Sequence, residues 1–419
     1  MPASPQRATP GKNGIIALIA IVLIAGASYS VFREIRQRGA APAAATAEDA
    51  LGKATDGAVR EPSNPAAMRA FGEALLQNQR QDDALKAMRR SIALDPMQAD
   101  SHAGLGSVLE AMGQFDQAAQ EYLRAIILQR DNVPALLGAG RISLKNGLDY
   151  AEPAFRRATA AAPDNADAWI GLGQADVRSQ QVTLRAEAIT AFDRAIALKT
   201  TRTDYRDDYA QALVNDDQFD KAESLLRDSL RTNDGDPAPH FLLGHLLQMS
   251  DPTRDRLAEA EVQIRLSLNL APHNGSAERE LGNIQLQEGR IPDAVATLEA
   301  HTLDYPSDLA AFRILSKAYG RSGRFDMAAK AAAHAASLVV LNRKVSKLAG
   351  ERATRFLEPA YHQELIALYT QTGQTREQGN ERQILERLQH NGKQIADIYN
   401  AYHAIVKEAF PEVEAGPAG

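Results

Sequence analysis

The side chains in this sequence best suited to chemistry are cations. Arg279, Arg313, Lys317 and Arg321 lie near Asn283, Phe241 and His245, and a second set, Arg141, Lys145 and Arg178, lies earlier in the chain. Arg and Lys give charge-assisted hydrogen bonds to carboxylates, so a cluster of them in a partly dry groove suits an acidic peptide or a chain-terminal carboxylate. The residues of covalent or metal chemistry are missing. There is no Gly-x-Ser-x-Gly, no phosphate loop ending in Lys-Ser or Lys-Thr, no His-Glu-x-x-His and no Cys-x-x-Cys-His. With 0 cysteines, disulfides, thiolate metal sites and a lipid-modified cysteine anchor are excluded. The nine histidines are scattered, and the closest pair, His240 and His245, is five apart, which puts the two on different helix faces. The sequence therefore predicts a binding protein without metal or cofactor.

What must position these cations is an array. Ala84, Ala118, Ala151, Ala188, Ala222, Ala260, Ala294 and Ala328 recur at intervals of 34, 33, 37, 34, 38, 34 and 34 residues. A second ladder runs ahead of them: Gly72, Gly106, Gly140, Gly173, Ala210, Gly244, Gly282 and Ser316. Helices cross closely only where side chains are small, so two small residues per period of about 34 mean stacked helical hairpins. From each alanine to the next unit's small residue the spacing is always 22; all length variation falls inside units, with longer turns near Ser179 to Thr183 and Ser250 to Arg256. Leu105, Leu109, Phe115, Ala118, Tyr122, Ala125 and Leu128 show the helical spacing of one unit, with Gly113 ending its first helix and Asp131-Asn132 capping the next.

The run Ala168-Trp169-Ile170-Gly171-Leu172-Gly173, the run Gly113-Gln114-Phe115-Asp116-Gln117-Ala118 with Tyr122 and Ala125, and Leu94-Asp95-Pro96 resemble the tetratricopeptide repeat (TPR). The resemblance covers roughly residues 64–338 and departs at Ala210, Ser316 and the interior proline Pro153. It implies an all-α, right-handed superhelix of about eight to nine hairpins, and it specifies a fold rather than a ligand. It also implies that the first helix of each unit lines a concave face. On that face units seven and eight place Ser276, Arg279, Asn283, Gln287, Arg313, Lys317 and Arg321 with almost no acid between them. Unit six adds Phe241, His245, Gln248 and Met249, and units three and four add Arg141, Lys145, Gln174 and Arg178, while unit five presents Asp204 and Asp207. The groove is expected to be acidic in the middle and basic toward its carboxyl end. A chaperone-tail clamp is not expected, because Ile314 stands where such a clamp needs its third polar residue.

Outside the array, residues 14–32 carry no charge over 19 residues, enough at about 1.5 Å per residue to cross a hydrocarbon layer of about 30 Å. A short tail, residues 1–13, precedes this expected transmembrane anchor; the rival reading is a cleaved signal peptide, for Ala25-Gly26-Ala27 has the small-x-small form. Residues 33–64 read as a flexible Ala/Pro-rich tether and residues 65–338 as eight units. Residues 339–410 read as a degenerate hairpin plus a C-terminal capping helix, and 411–419 as a disordered tail. Arg7 and Lys12 on one flank balance Arg33, Arg36 and Arg38 on the other, and the short leading tail favours a translocated, periplasmic array on a bacterial inner membrane. With a net charge of −6 and no aromatics interleaved with the cations, nucleic acid is not an expected partner.

The expected function is a membrane-anchored scaffold that binds proteins or peptides, acidic ones included, in its concave groove. The alternative, drawn from proteins this chain resembles, is a permanent accessory subunit of an envelope machine of the cytochrome-maturation, polysaccharide-export or outer-membrane-assembly type. An enzyme site in the carboxyl segment would need His362, His390, Tyr399 or His403 gathered in one pocket.

Overall fold

The computed structural model describes residues 47–414 apart from 147, 180–183 and 251. Among the described residues every element is helical, and no helix is long and apolar enough to cross a membrane. The apolar segment 14–32 lies outside the described residues. The described residues divide into two compact units, one up to residue 138 and one from residue 139.

The expected tether is in part a helix. Residues 47–60 form α1, and Ala47, Ala50, Leu51, Ala54, Thr55 and Ala58 are among its shielded positions. That set follows the i, i+3, i+4, i+7 stripe of an amphipathic helix, so alanine content that reads as linker also encodes a buried face. The Asn78 side chain donates to the Ala47 carbonyl at 3.0 Å and ties α1 to the first hairpin.

Eight hairpins follow. They are α2 (Pro65–Gln77) with α3 (Gln81–Leu94), α4 (Ala99–Ala111) with α5 (Phe115–Leu128), α6 (Val133–Asn146) with α7 (Ala151–Ala161), and α8 (Ala166–Arg178) with α9 (Leu184–Ala197). Then come α10 (Arg206–Asn215) with α11 (Phe219–Thr232), α12 (Pro237–Ser250) with α13 (Arg254–Leu270), α14 (Gly275–Gln287) with α15 (Ile291–Asp304), and α16 (Leu309–Arg321) with α17 (Phe325–Gly350). Asn64, Asn132, Asn165, Asn274 and Asp308 cap first helices by accepting a main-chain N–H two or three residues on. In five of these hairpins the turn inside the unit carries one residue at positive φ. Gly113 (75°), Gly289 (80°) and Gly323 (75°) supply it without strain, whereas Gln79 (60°) and Asp217 (57°) adopt it at a cost of about 1 kcal/mol each.

The two ladders meet in one packing rule. Four residues after each of the first seven ladder alanines stands a bulky side chain: Met88, Tyr122, Phe155, Phe192, Leu226, Ile264 and Leu298, each at most 1 % exposed. The ladder glycine of the same unit lies under it. A Cβ on Gly106 would come within 2.7 Å of the Tyr122 ring, and one on Gly282 within 2.6 Å of Leu298. In the first three units a second glycine, two places before the next unit's ladder residue, covers the far side: Gly104 on Met88, Gly138 on Tyr122, Gly171 on Phe155. The Gly-x-Gly pairs are thus packing surfaces. Pro153 is not interior, because α7 begins only at Ala151 and the proline stands in its first turn, where no main-chain N–H is needed.

The carboxyl end departs from the repeat. α17 runs for 26 residues where α3, α5, α9, α11 and α15 have 14. A single turn, α18 (Arg352–Arg355), leads to α19 (Pro359–Thr372), which packs on the distal half of α17 through Leu348, Tyr361 and Leu365. α20 (Thr375–Ala409) has non-helical dihedrals at Asn391, where two helices join at a kink. Its second half does not simply cover the last hairpin. Phe410, fully buried, stacks on Tyr150; Arg157 lies over the Phe410 ring at 5.2 Å and donates to the Ala409 carbonyl at 2.7 Å; Tyr402 and Tyr150 share a hydrogen bond of 2.9 Å. The end of α20 therefore docks on α7, and residues 411–414 form a 3-10 turn where a disordered tail was expected.

Candidate functional site

All ten predicted groove residues stand on first helices: Arg141 and Lys145 on α6, Arg178 on α8, Phe241 and His245 on α12, Arg279 and Asn283 on α14, and Arg313, Lys317 and Arg321 on α16. What they do there differs.

Two arginines are structural. Arg178 donates to the Leu144 carbonyl and Arg321 to the Leu286 carbonyl, both at 2.8 Å, and both stand at the last place of their helix. Each acceptor lies in the last turn of the preceding unit's first helix, where carbonyls have no intrahelical donor and the helix dipole is negative. These guanidinium groups close the helix of one unit from the next.

Arg279 is paired, which corrects the expectation of a band with almost no acid. Its Nη1 meets Asp308 Oδ2 at 2.7 Å, and its Nη2 lies 3.9 Å from Glu280 Oε1. The same Asp308 oxygen takes His301 Nε2 at 3.0 Å, while Asp308 Oδ1 caps α16. Burial alone would raise the Asp308 carboxyl, but His301, the Ala311 N–H and Arg279 hold it far below the usual carboxylate range. Burial works against charge on His301; Asp308 and Glu278, one on each ring nitrogen, outweigh it and raise its pKa. A cavity of about 720 Å³ opens beside this network, with Ser276 and Ser307 in its lining. Acids hold both ring nitrogens of His301, so no free lone pair is left for general-base work.

His245 stacks on Phe241 with centroids 6.1 Å apart and faces Glu280 Oε1 at 3.4 Å. Gln248 Nε2 and Glu280 Oε2 are buried without a partner in the same stretch.

Arg141 and Lys145 on α6 are engaged as well, whereas Arg313 and Lys317 differ. They are exposed, one turn apart on α16, with no acid paired to either among the described residues. They rim an opening of about 520 Å³ whose other walls are Ser316, Ala332, Ala335, Ala336 and Val339.

The histidines carry an order that spacing alone did not show. His102, His240 and His362, each at the fourth place of a first helix, send Nε2 to the carbonyl six residues earlier, of Pro96, Asp234 and Phe356, at 2.7 to 3.0 Å. Nδ1 of each meets the second helix, at Glu121, Gln263 and Glu381. Trp169 does the same job at its fourth place, donating to the Pro163 carbonyl. The hydrogen bond to Glu121 raises the His102 pKa despite burial. Comparing the fourth places across units is the signal that reveals these staples. In the carboxyl segment His362 is buried, Tyr399 stacks on Phe356 and lies tilted against His403, and the exposed His390 bonds the Glu386 carbonyl of its own helix. No cluster that could hold a metal occurs among the described residues.

Comparison with known proteins places this geometry. Residues 34–99, 103–149 and 146–202 match the family model of the tetratricopeptide repeat. Curated proteins yield no match. Among solved structures the chain is similar to the Cut9–Hcn1 hetero-tetramer of APC/C, at 19% identity over 57% of this chain and a TM-score of 0.44, and it spans 46% of that chain. It is also similar to YrrB, a TPR protein with an unusual peptide-binding site, at 19% identity, 46% of this chain, 96% of that one and a TM-score of 0.40. PilF of Pseudomonas aeruginosa gives 19% identity, 54% of this chain, 99% of that one and a TM-score of 0.43. These family-model matches run across the first four hairpins, α2 to α9.

Proposed function

We propose that the chain is a non-enzymatic scaffold that binds a protein segment along its first helices, with the recognition centre at Arg313 and Lys317. The observation that carries this reading is the contrast among the cations. Arg178, Arg279 and Arg321 are engaged in the fold, whereas Arg313 and Lys317 are presented, unpaired, at an open cavity. A charge-assisted pair there contributes more than an ordinary surface pair, because the alanine walls displace water. The apolar segment 14–32 supports the further proposal of a membrane anchor that holds the array on the periplasmic side.

The test is photocrosslinking in cells from Gln287, an exposed residue on α14, in the native chain and in the double variant Arg313→Glu, Lys317→Glu. A dominant protein adduct that vanishes on charge reversal supports recognition at these residues. An unchanged adduct pattern overturns it in favour of a permanent subunit held through other surfaces. Sidedness is read separately. The chain has no cysteine, so Ser322→Cys gives a unique thiol, and its labelling by an impermeant maleimide in intact cells distinguishes the outer from the inner face.

A further inference from the structure

The eighth hairpin is built as the negative of the seven before it. In each of those a bulky side chain fills the space beneath the ladder residue of its own unit. In the eighth the corresponding residue is Ala332, exposed, and the ladder residue is Ser316, whose hydroxyl turns to the Ala328 carbonyl at 2.9 Å. The next first helix is also displaced. The extra length of α17 carries α19 to its distal half, and α19 ends with Gly373 against Pro306. The place that a knob and a covering helix occupy in the seven preceding hairpins is left as the 520 Å³ opening. Its floor is apolar and its rim carries two cations one helical turn apart.

We infer that this opening seats one helix of another protein, an amphipathic acidic helix whose bulky apolar residue enters over Ala332 and Ala336 and whose carboxylates, a turn away, meet Arg313 and Lys317. The inference rests on the scaffold reading and gives it a partner chemistry. The geometry selects a helix over an extended strand, because the space is shaped by the hairpin repeat, where a first helix packs. The charge selects acid, because Arg313 and Lys317 are the unpaired side chains at the rim.

The experiment pans the full chain against a displayed library of 18-residue helix-forming peptides. It is repeated with Ala332→Leu, which fills the opening from within at an exposed site, and with Arg313→Glu, Lys317→Glu. The expected result is enrichment of Leu or Phe flanked by Asp or Glu at three- and four-residue spacing. Binding of the enriched peptides should weaken at least tenfold in Ala332→Leu, and the charge-reversed chain should select Lys or Arg in place of the acids. No enrichment, or equal binding by the native chain and Ala332→Leu, overturns the inference. So does a change in self-association on sedimentation of Ala332→Leu, which would assign the opening to a second copy. Failure here with the Gln287 adduct still lost on charge reversal would leave the scaffold reading standing and remove only the seat.

Discussion

The ring of Phe410 stacks on that of Tyr150, centroids 5.4 Å apart and planes 11° apart, so the end of α20 closes onto the start of α7. A stack of repeats whose units touch only their neighbours loses structure progressively from its ends. Here the carboxyl end is clamped. Phe410→Ala removes a fully buried ring, a loss of about 3–5 kcal/mol for that contact. The expected outcome is rapid amide exchange and proteolysis in the second half of α20 with protection of α8 to α15 unchanged. Unchanged exchange in α20 would show that the docking contributes nothing.

Gly138→Ala tests the packing rule. Alanine is the better helix former by about 1 kcal/mol, yet its Cβ would lie 2.2 Å from Cζ of Tyr122. Overpacking of that kind costs about 1–3 kcal/mol, so the variant should melt lower. Adding Tyr122→Leu should make the alanine neutral or favourable, and a double-mutant cycle without coupling would refute the rule.

Asp176 sets a pH dependence. It is 1 % exposed, and neither carboxyl oxygen has a hydrogen-bond partner. Burial pushes its pKa up to about 7, with Arg156 pulling it down and Glu152 and Glu187 adding to the rise. The folded chain then holds a proton that the unfolded chain releases near the ordinary value of 3.8. The stability this group supplies is full below about pH 4 and is lost as pH climbs through 7. Asp176→Asn should stabilise the protein by about 1–3 kcal/mol at pH 8 and by less at pH 5. Equal shifts in denaturation midpoint at both pH values would contradict the sign.

Arg321→Met should lower stability by about 0.5–1.5 kcal/mol, the worth of one hydrogen bond, and speed exchange at the end of α14. It leaves Arg313 and Lys317 untouched, so the adduct captured from Gln287 should persist. Loss of that adduct would move Arg321 from the fold to the recognition surface.

The hairpins were legible because both ladders obey a local constraint: a helix crossing tolerates nothing larger than Gly, Ala or Ser, and that constraint repeats with the unit. The unpaired pair Arg313 and Lys317 was legible in the same way, as first-helix positions. The partner of Arg279 was not, because Asp308 sits in the turn before the next unit's first helix, where reading only groove places never looks. Helix α1 was obscured by composition, since alanine serves a linker and a buried stripe equally well. The docking of Phe410 on Tyr150 was invisible for another reason: the contact joins distant parts of the chain and follows no period.

The grip of Gly106 and Gly138 on the two faces of Tyr122 also governs how the molecule can be divided. Such a stack resembles a fence, which needs one more post than it has panels: each second helix is complete only when a first helix stands on either side. A fragment cut after Leu128 would strip the Gly138 side from Tyr122 and leave an adhesive aromatic end that the whole molecule does not have. Truncated pieces that finish on a second helix will therefore collect partners at the cut, and only those that finish on a first helix will report the binding habits of the intact chain.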